Sequence, residues 1–196
     1  NGIHRRLLQW EREGRINGII TQNADGLHQQ AGSRRVIPVH GDLSIVRCLD
    51  CGHAEDRRHF DARLQAANEG YLESVEIDPE AVNPDGDVEL PQYLVEQFNM
   101  VACENCGSLV LKPDVVYFGE SVPPARKEAM AQLQTESTSL LVLGSSLAVM
   151  SGYRILLDFV KLELPVALIT NGHVRGEQKA TWRWRVPLER AMAQLL

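Results

Sequence analysis

Two short apolar runs rich in β-branched residues, Ile16–Ile20 and Val36–Val39, constrain the fold more than any other feature of the chain. Each stops abruptly at polar residues: Thr21-Gln22-Asn23-Ala24-Asp25 after the first, His40-Gly41-Asp42 after the second. Runs of this length, bounded by Gly and polar residues, predict buried strands of a parallel sheet. Two later runs repeat the pattern, Ser139–Leu143 ending in Gly144-Ser145-Ser146 and Val166–Ile169 ending in Thr170-Asn171-Gly172. Helical spacing separates them at His4–Glu13, Ala24–Ala31, Pro123–Gln134 and Tyr153–Lys161, and Leu188–Leu195 reads as a closing helix. Alternating strands and helices build a parallel α/β sheet, and such sheets bind ligands beyond the carboxyl ends of their strands. The four polar ends then share one edge, as a nucleotide-sized crevice. Each end taken alone also has a plainer reading as a polar turn, His40 as a satisfied turn histidine, and Ser145-Ser146 as a plain helix N-cap.

A second signal interrupts this pattern. Cys48-Leu49-Asp50-Cys51-Gly52 and Cys103-Glu104-Asn105-Cys106-Gly107 are two CxxCG knuckles. Each presents two thiolates from one tight turn, and together they predict a closed, structural four-cysteine zinc site. The chain between them is longer than a zinc ribbon needs. It contains helical stretches at Phe60–Ala67 and Leu94–Phe98, and a Pro- and Asp-rich loop over Asp78–Pro91 with the turn signal Asn83-Pro84-Asp85-Gly86. A module over residues 44–106 is therefore expected within an α/β domain made of residues 1–43 and 107–196.

With 196 residues, 44% of them hydrophobic, the chain can bury one sizeable core. A net charge of −6 and the lack of any dense Lys/Arg block argue against direct nucleic-acid binding. No apolar run approaches a membrane span. Paired cysteines suit a metal in a reducing compartment better than disulfides. The expected location is the cytoplasm for a bacterial protein, or the mitochondrial matrix for a eukaryotic one.

TQNADGLH, HG after a Val-rich strand, the two CxxC pairs, KPDVVYFGE and LGSSLAVMSGYR follow one another in this order. That series resembles the sirtuins, the NAD-dependent protein deacylases, from about Asn1 to Gly176. The SSLAVMSGYR segment has Ser-Gly-Tyr where many sirtuins carry a proline. It is similar to the class II branch that includes mitochondrial sirtuin 4, as is the insert containing NPDGDV. The resemblance implies a Rossmann-like domain with an inserted zinc module, NAD as co-substrate, one structural Zn2+, and an acyl-lysine protein or peptide as substrate. By resemblance His40 is the base that takes a proton from the ribose hydroxyl, a task that suits an imidazole. Gln22, Asn23, Ala24 and Asp25 would hold the nicotinamide and its ribose. Gly144, Ser145, Ser146, Thr170, Asn171 and Gly172 would contact the rest of the nucleotide. Val116, Phe118, Gly119 and Ser151 would line the peptide site, where sirtuins clamp substrate as an added strand.

The sequence also departs from that family. Sirtuins begin with a strand and a Gly-rich loop that hold the NAD phosphates, a task for backbone N–H groups. No such segment precedes His4 here, so the sequence reads as N-terminally incomplete. Asp42 stands where the family usually has a small residue. The family's Asn-x-Gly turn aligns Thr170, rather than Asn171, with the asparagine. Three functions remain open at this level. They are protein-lysine deacylation with nicotinamide release, protein ADP-ribosylation on the same site, and an inactive zinc-ribbon interaction fragment.

Overall fold

In the computed structural model, which describes residues 1–75, 88 and 90–195, the chain divides into two compact units. One comprises Asn1–Asp42 and Val115–Leu196, the other Leu43–Asp114. The boundary expected at residues 106/107 thus falls at 114/115. The reason is a strand over Leu111–Val115 that joins the sheet of the second unit and carries the residues after Cys106 with it. The Asn83-Pro84-Asp85-Gly86 turn lies outside the described residues.

The first unit opens with α1 (Gly2–Arg12), capped by the Asn1 side chain, which accepts from the N–H groups of Ile3 and His4. Strand β1 (Ile19–Thr21) pairs in parallel with β2 (Val36–Pro38), with Ile19 opposite Val36. The strand expected from Ile16 therefore starts three residues late. Ile16 instead packs against Leu7, Trp10 and Met192. A side chain at Gly18 would meet the Arg35 carbonyl at 2.9 Å, so glycine permits the close approach of chain there. Helix α2 (Leu27–Ala31) closes at Gly32, whose φ of 106° only glycine adopts easily.

The second unit holds β3 (Gly41–Cys48), β4 (Ala54–Asp56), α3 (Arg57–Ala67), α4 (Tyr71–Ser74), α5 (Gln92–Gln97) and β5 (Leu111–Val115). Its sheet has the order β4-β3-β5. Across it, Arg47 makes a bidentate pair with Asp114, at 3.2 Å to each oxygen. Neither β3 nor β4 was expected from the sequence. Both are short or mixed in polarity, and only pairing organises them.

The chain then returns through α6 (Pro124–Thr135), β6 (Leu140–Leu143), α7 (Met150–Lys161), β7 (Val166–Thr170), β8 (Trp182–Arg185) and α8 (Leu188–Gln194). Strands β6, β7 and β8 form a parallel sheet in that order. The first unit thus has a Rossmann-like α/β architecture, with its described strands in two parallel sheets rather than the single one expected. Leu156, Val39 and Val166 are fully buried, and Phe159, Leu168 and Val174 belong to the same cluster, which packs α7 onto β7. Among the described residues no helix is long and apolar enough to cross a membrane.

Candidate active site

The polar residues after β1 and β2 meet at the imidazole of His40. Its Nδ1 lies 3.0 Å from the Gln22 backbone carbonyl, and its Nε2 lies 2.8 Å from the Ser151 hydroxyl. A carbonyl can only accept, so Nδ1 carries a proton, and in the neutral ring Nε2 holds the lone pair. The His40 carbonyl in turn accepts from Val116 N–H at 2.9 Å, which anchors the turn from behind. The His40 side chain lies beside Gln22 and Ser151 in a part-buried setting, so the ring is both held and reachable.

Gln22 ties the end of β1 to the end of β6. Its Oε1 accepts from Ser145 Oγ at 3.0 Å, and the same hydroxyl accepts from Leu147 N–H at 3.2 Å. Ser145 and Ser146 are therefore not the N-cap of the next helix; α7 begins only at Met150, behind Val149. The intervening loop is pinned further. Leu147 takes a left-handed φ of 51° and buries its side chain, and the Ser146 carbonyl accepts from Arg175 N–H at 2.8 Å. Arg175 also donates to the Ala148 carbonyl at 3.2 Å and stacks over the Tyr153 ring at 4.4 Å.

Asn23 and Asp25 follow just beyond. One Asp25 oxygen accepts from Leu27 N–H at 3.0 Å and shapes the entry to α2, while the other lies 3.5 Å from the Asn23 amide. Ala24 sits between them in the chain. Asp42 points toward the same turn, with its Oδ1 3.8 Å from where a Gly26 side chain would begin. After β7, Thr170 Oγ1 accepts from Gly172 N–H at 3.4 Å, while Asn171 is exposed. Gly144 turns the chain at φ 62° beneath Leu188, where a Cβ would meet Leu188 at 2.6 Å.

A cavity of about 960 Å3 borders part of this set, though not His40 itself. Gln22, Asn23, Ser145 and Ser146 line it, while Ile20 and Val142 supply apolar surface. That mixture of an apolar wall and a few convergent polar groups is what a ligand pocket needs.

Of the residues expected at the peptide site, Ser151 lies with Met150 and Gly152 in the first turn of α7, and its hydroxyl is engaged by His40. Val116 follows β5 directly, and Phe118 and Gly119 form a turn closed by Glu120 N–H donating to the Tyr117 carbonyl. The Phe118 ring projects with 103% relative exposure.

In the second unit the four cysteines converge. Cys48 and Cys106 sulfurs lie 3.6 Å apart, those of Cys51 and Cys103 lie 3.7 Å apart, and all four fall within 4.8 Å of one another. A tetrahedron with Zn–S bonds of about 2.3 Å has edges of about 3.8 Å, so the set fits Zn2+. Both knuckles close alike. Gly52 N–H donates to Cys48 O and Gly107 N–H to Cys103 O, with φ of 74° and 76° at the two glycines. The Asn105 amide, then the His53 backbone, lower the Cys51 thiol to about 6. At Cys106 a Ser108 backbone bond works the same way, but the Cys51 contact, burial and the other thiols outweigh it and push the group up to about 12. Four thiols this close cannot all ionise without a cation among them. The donor set would hold Zn2+ as a closed site with no open position for chemistry.

Residues 1–151 match the model of the Sir2 family. The chain belongs to the Sir2 family. NAD-dependent protein deacetylase 1 of Corynebacterium efficiens is 49% identical over 196 residues, covering 100% of this chain and 70% of the relative. NAD-dependent protein deacylase Sirt4 of Drosophila melanogaster is 42% identical over 180 residues, covering 92% of this chain and 56% of the relative. A solved structure described as Sir2-p53 peptide-NAD+ superposes with a TM-score of 0.74 at 25% identity, over 100% of this chain and 68% of that one. The chain thus spans 56% of the fly protein's length and 70% of the bacterial one's.

Within this Sir2-family chain, one residue of the site escaped sequence reasoning. Gly152 is buried against Gln22, and a Cβ there would meet Gln22 Oε1 at 2.8 Å. The available signal was a glycine placed just before the helical stretch at Tyr153. Gly176 plays the same part for Tyr153, whose ring would lie 2.6 Å from a side chain placed there.

Proposed function

We propose that the chain is the catalytic part of an NAD-dependent protein-lysine deacylase, which transfers the acyl group to ADP-ribose and releases nicotinamide. The observation that carries this reading is the imidazole of His40, held with its lone pair at Nε2, at the meeting point of the β1, β2 and β6 ends. When bound, NAD supplies a ribose carbon with a cationic leaving group, so the chain needs no nucleophile of its own. His40 Nε2 takes the proton from a ribose hydroxyl as general base. The Gln22 carbonyl, accepting from Nδ1–H, stabilises the imidazolium that results. Asn23 and Asp25 supply a donor and an acceptor for the carboxamide and ribose. Ala24, Gly144, Ser145, Ser146, Thr170, Asn171 and Gly172 border the nucleotide.

The substrate is an acyl-lysine peptide, received against Val116, Phe118 and Gly119. The finer placement we favour is the class II, sirtuin 4-like branch. The fly Sirt4 relative at 42% identity supports it, while the Corynebacterium efficiens deacetylase is more similar at 49%. A reducing compartment, the bacterial cytoplasm or the mitochondrial matrix, suits four unpaired thiols in the second unit.

The test is nicotinamide release with NAD and an acyl-lysine peptide. Release that requires the acyl-peptide, and that His40→Ala abolishes without loss of NAD binding, is the expected result. Release without the acyl-peptide would favour ADP-ribosylation, and no release with any peptide would favour a non-catalytic module.

A further inference from the structure

We propose that Ser151 is the positioning residue of His40, gripping the nitrogen that takes the proton; this rests on His40 being the base. The Gln22 carbonyl can only accept, so it fixes the proton on Nδ1 and leaves Nε2 as an acceptor. Ser151 Oγ, 2.8 Å from Nε2, must then be the donor. The imidazole is held at both nitrogens, by β1 on one side and by the first turn of α7 on the other. A ring gripped at one nitrogen can still swing about its Cβ–Cγ bond; gripped at both, it keeps its tautomer and its plane.

A hydroxyl suits this post better than an amide or a carboxylate would. It donates to Nε2 while the ring is neutral, and by rotating it accepts from Nε2–H once the ring has taken a proton. An imidazole nitrogen has one lone pair, so the Ser151 hydroxyl swings its hydrogen off Nε2 as the ribose hydroxyl delivers its proton there, and then accepts from the Nε2–H that forms. A carboxylate there would hold the ring protonated, and a methyl group would leave Nε2 without a partner.

The backbone around Ser151 supports its place. Gly152, the next residue, brings α7 against Gln22 so closely that any side chain would collide with Oε1 at 2.8 Å. That approach sets the first turn of α7 beside the same residue whose carbonyl holds Nδ1. Tyr153 N–H donates to Val149 O at 3.1 Å, so the turn that carries Ser151 is closed.

The experiment is 15N NMR of the His40 ring in the chain without NAD or peptide, at alkaline pH where the ring is neutral, in wild type, Ser151→Ala and Ser151→Thr. In wild type Nδ1 is protonated and Nε2 is shielded by its hydrogen bond. Ser151→Ala moves the Nε2 resonance to the position of a free lone pair, and Ser151→Thr, which keeps the hydroxyl, restores it. In the deacylation assay Ser151→Ala lowers kcat about tenfold, the order of one hydrogen bond, with KM unchanged, and Ser151→Thr recovers the loss. An Nε2 resonance indifferent to Ser151→Ala overturns the contact. A shifted resonance with unchanged kcat, or a kcat loss that threonine does not recover, overturns the positioning role. If His40→Ala retains deacylation, the assignment of the base fails instead, whatever the Ser151 resonances show.

Discussion

Gly152 Cα stands so near the Gln22 side chain that a β-carbon would lie 2.8 Å from Oε1, 3.0 Å from Cδ and 3.1 Å from Nε2. This contact joins the first turn of α7 to the end of β1, and Gln22 passes it on to Ser145 and His40. Gly152→Ala should gain about 1 kcal/mol of helix propensity. It must also push the Gln22 amide aside, which breaks the bond from Ser145. The expected outcome is a small change in thermal midpoint but NAD binding weakened about tenfold, the scale of one lost hydrogen bond. Calorimetry with NAD, alongside a thermal melt, checks it; unimpaired affinity would remove Gln22 and Ser145 from the cofactor site.

The metal carries a second expectation. One zinc per chain should be found by elemental analysis, held by Cys48, Cys51, Cys103 and Cys106. Cys51→Ser or a strong chelator should unfold the second unit, because structural zinc couples about 10–16 kcal/mol of binding to folding. Zinc affinity should also fall as pH falls, since each ligand must release its proton and the Cys106 thiol, pushed up to about 12, holds its own most tightly.

Acidification should weaken the fold through His28. Burial, then the neighbouring ring of His4, tilted with its centroid at 4.5 Å, lowers its pKa against an opposing pull from Asp25. Its Nδ1 is buried without a partner among the described residues. A base whose folded pKa lies below its unfolded value binds protons more readily when unfolded. Stability is therefore intact above about pH 6.5 and declines as pH falls from there toward the lowered folded value. His4, lowered chiefly by burial, acts in the same sense. Glu104 and Glu136, held low by hydrogen bonds from His59 and Arg35, contribute losses only at more acidic pH. Denaturant midpoints measured across this range should decline in wild type and decline less in His28→Asn. A slope unchanged in the variant would clear His28 of the effect.

Phe118 should matter for substrate and not for folding. Its ring is fully exposed, so Phe118→Ala should change stability by no more than about 0.5 kcal/mol. Exposed aromatics that bury on binding often dominate an interface, so KM for an acyl-lysine peptide should rise several-fold with kcat maintained. Unchanged KM would exclude the ring from the peptide site.

Local patterning carried much of this architecture. The apolar runs at Val36, Ser139 and Val166 became strands within one or two residues of their expected ends, because a short β-branched run between polar breaks has few other ways to bury itself. The helix at Pro124 started where its prolines allow. The two CxxCG knuckles predicted a converging thiol set, since a four-residue turn fixes each pair regardless of the rest of the chain.

What the tertiary structure alone decided are the relationships between distant segments. Ile16 looked like strand but became core between α1 and α8, because a helix-packed isoleucine and a strand isoleucine have the same side chain. Strand β3 is stabilised partly by β5, more than sixty residues along the chain, which no local period encodes. Ser145 donates to Gln22 rather than capping α7, and the Ser151 hydroxyl comes to lie on His40. A hydroxyl bonds whatever acceptor the fold brings to it. Sequence therefore determined which groups could meet at the strand ends, and the packing of α7 against β1 determined which of them do.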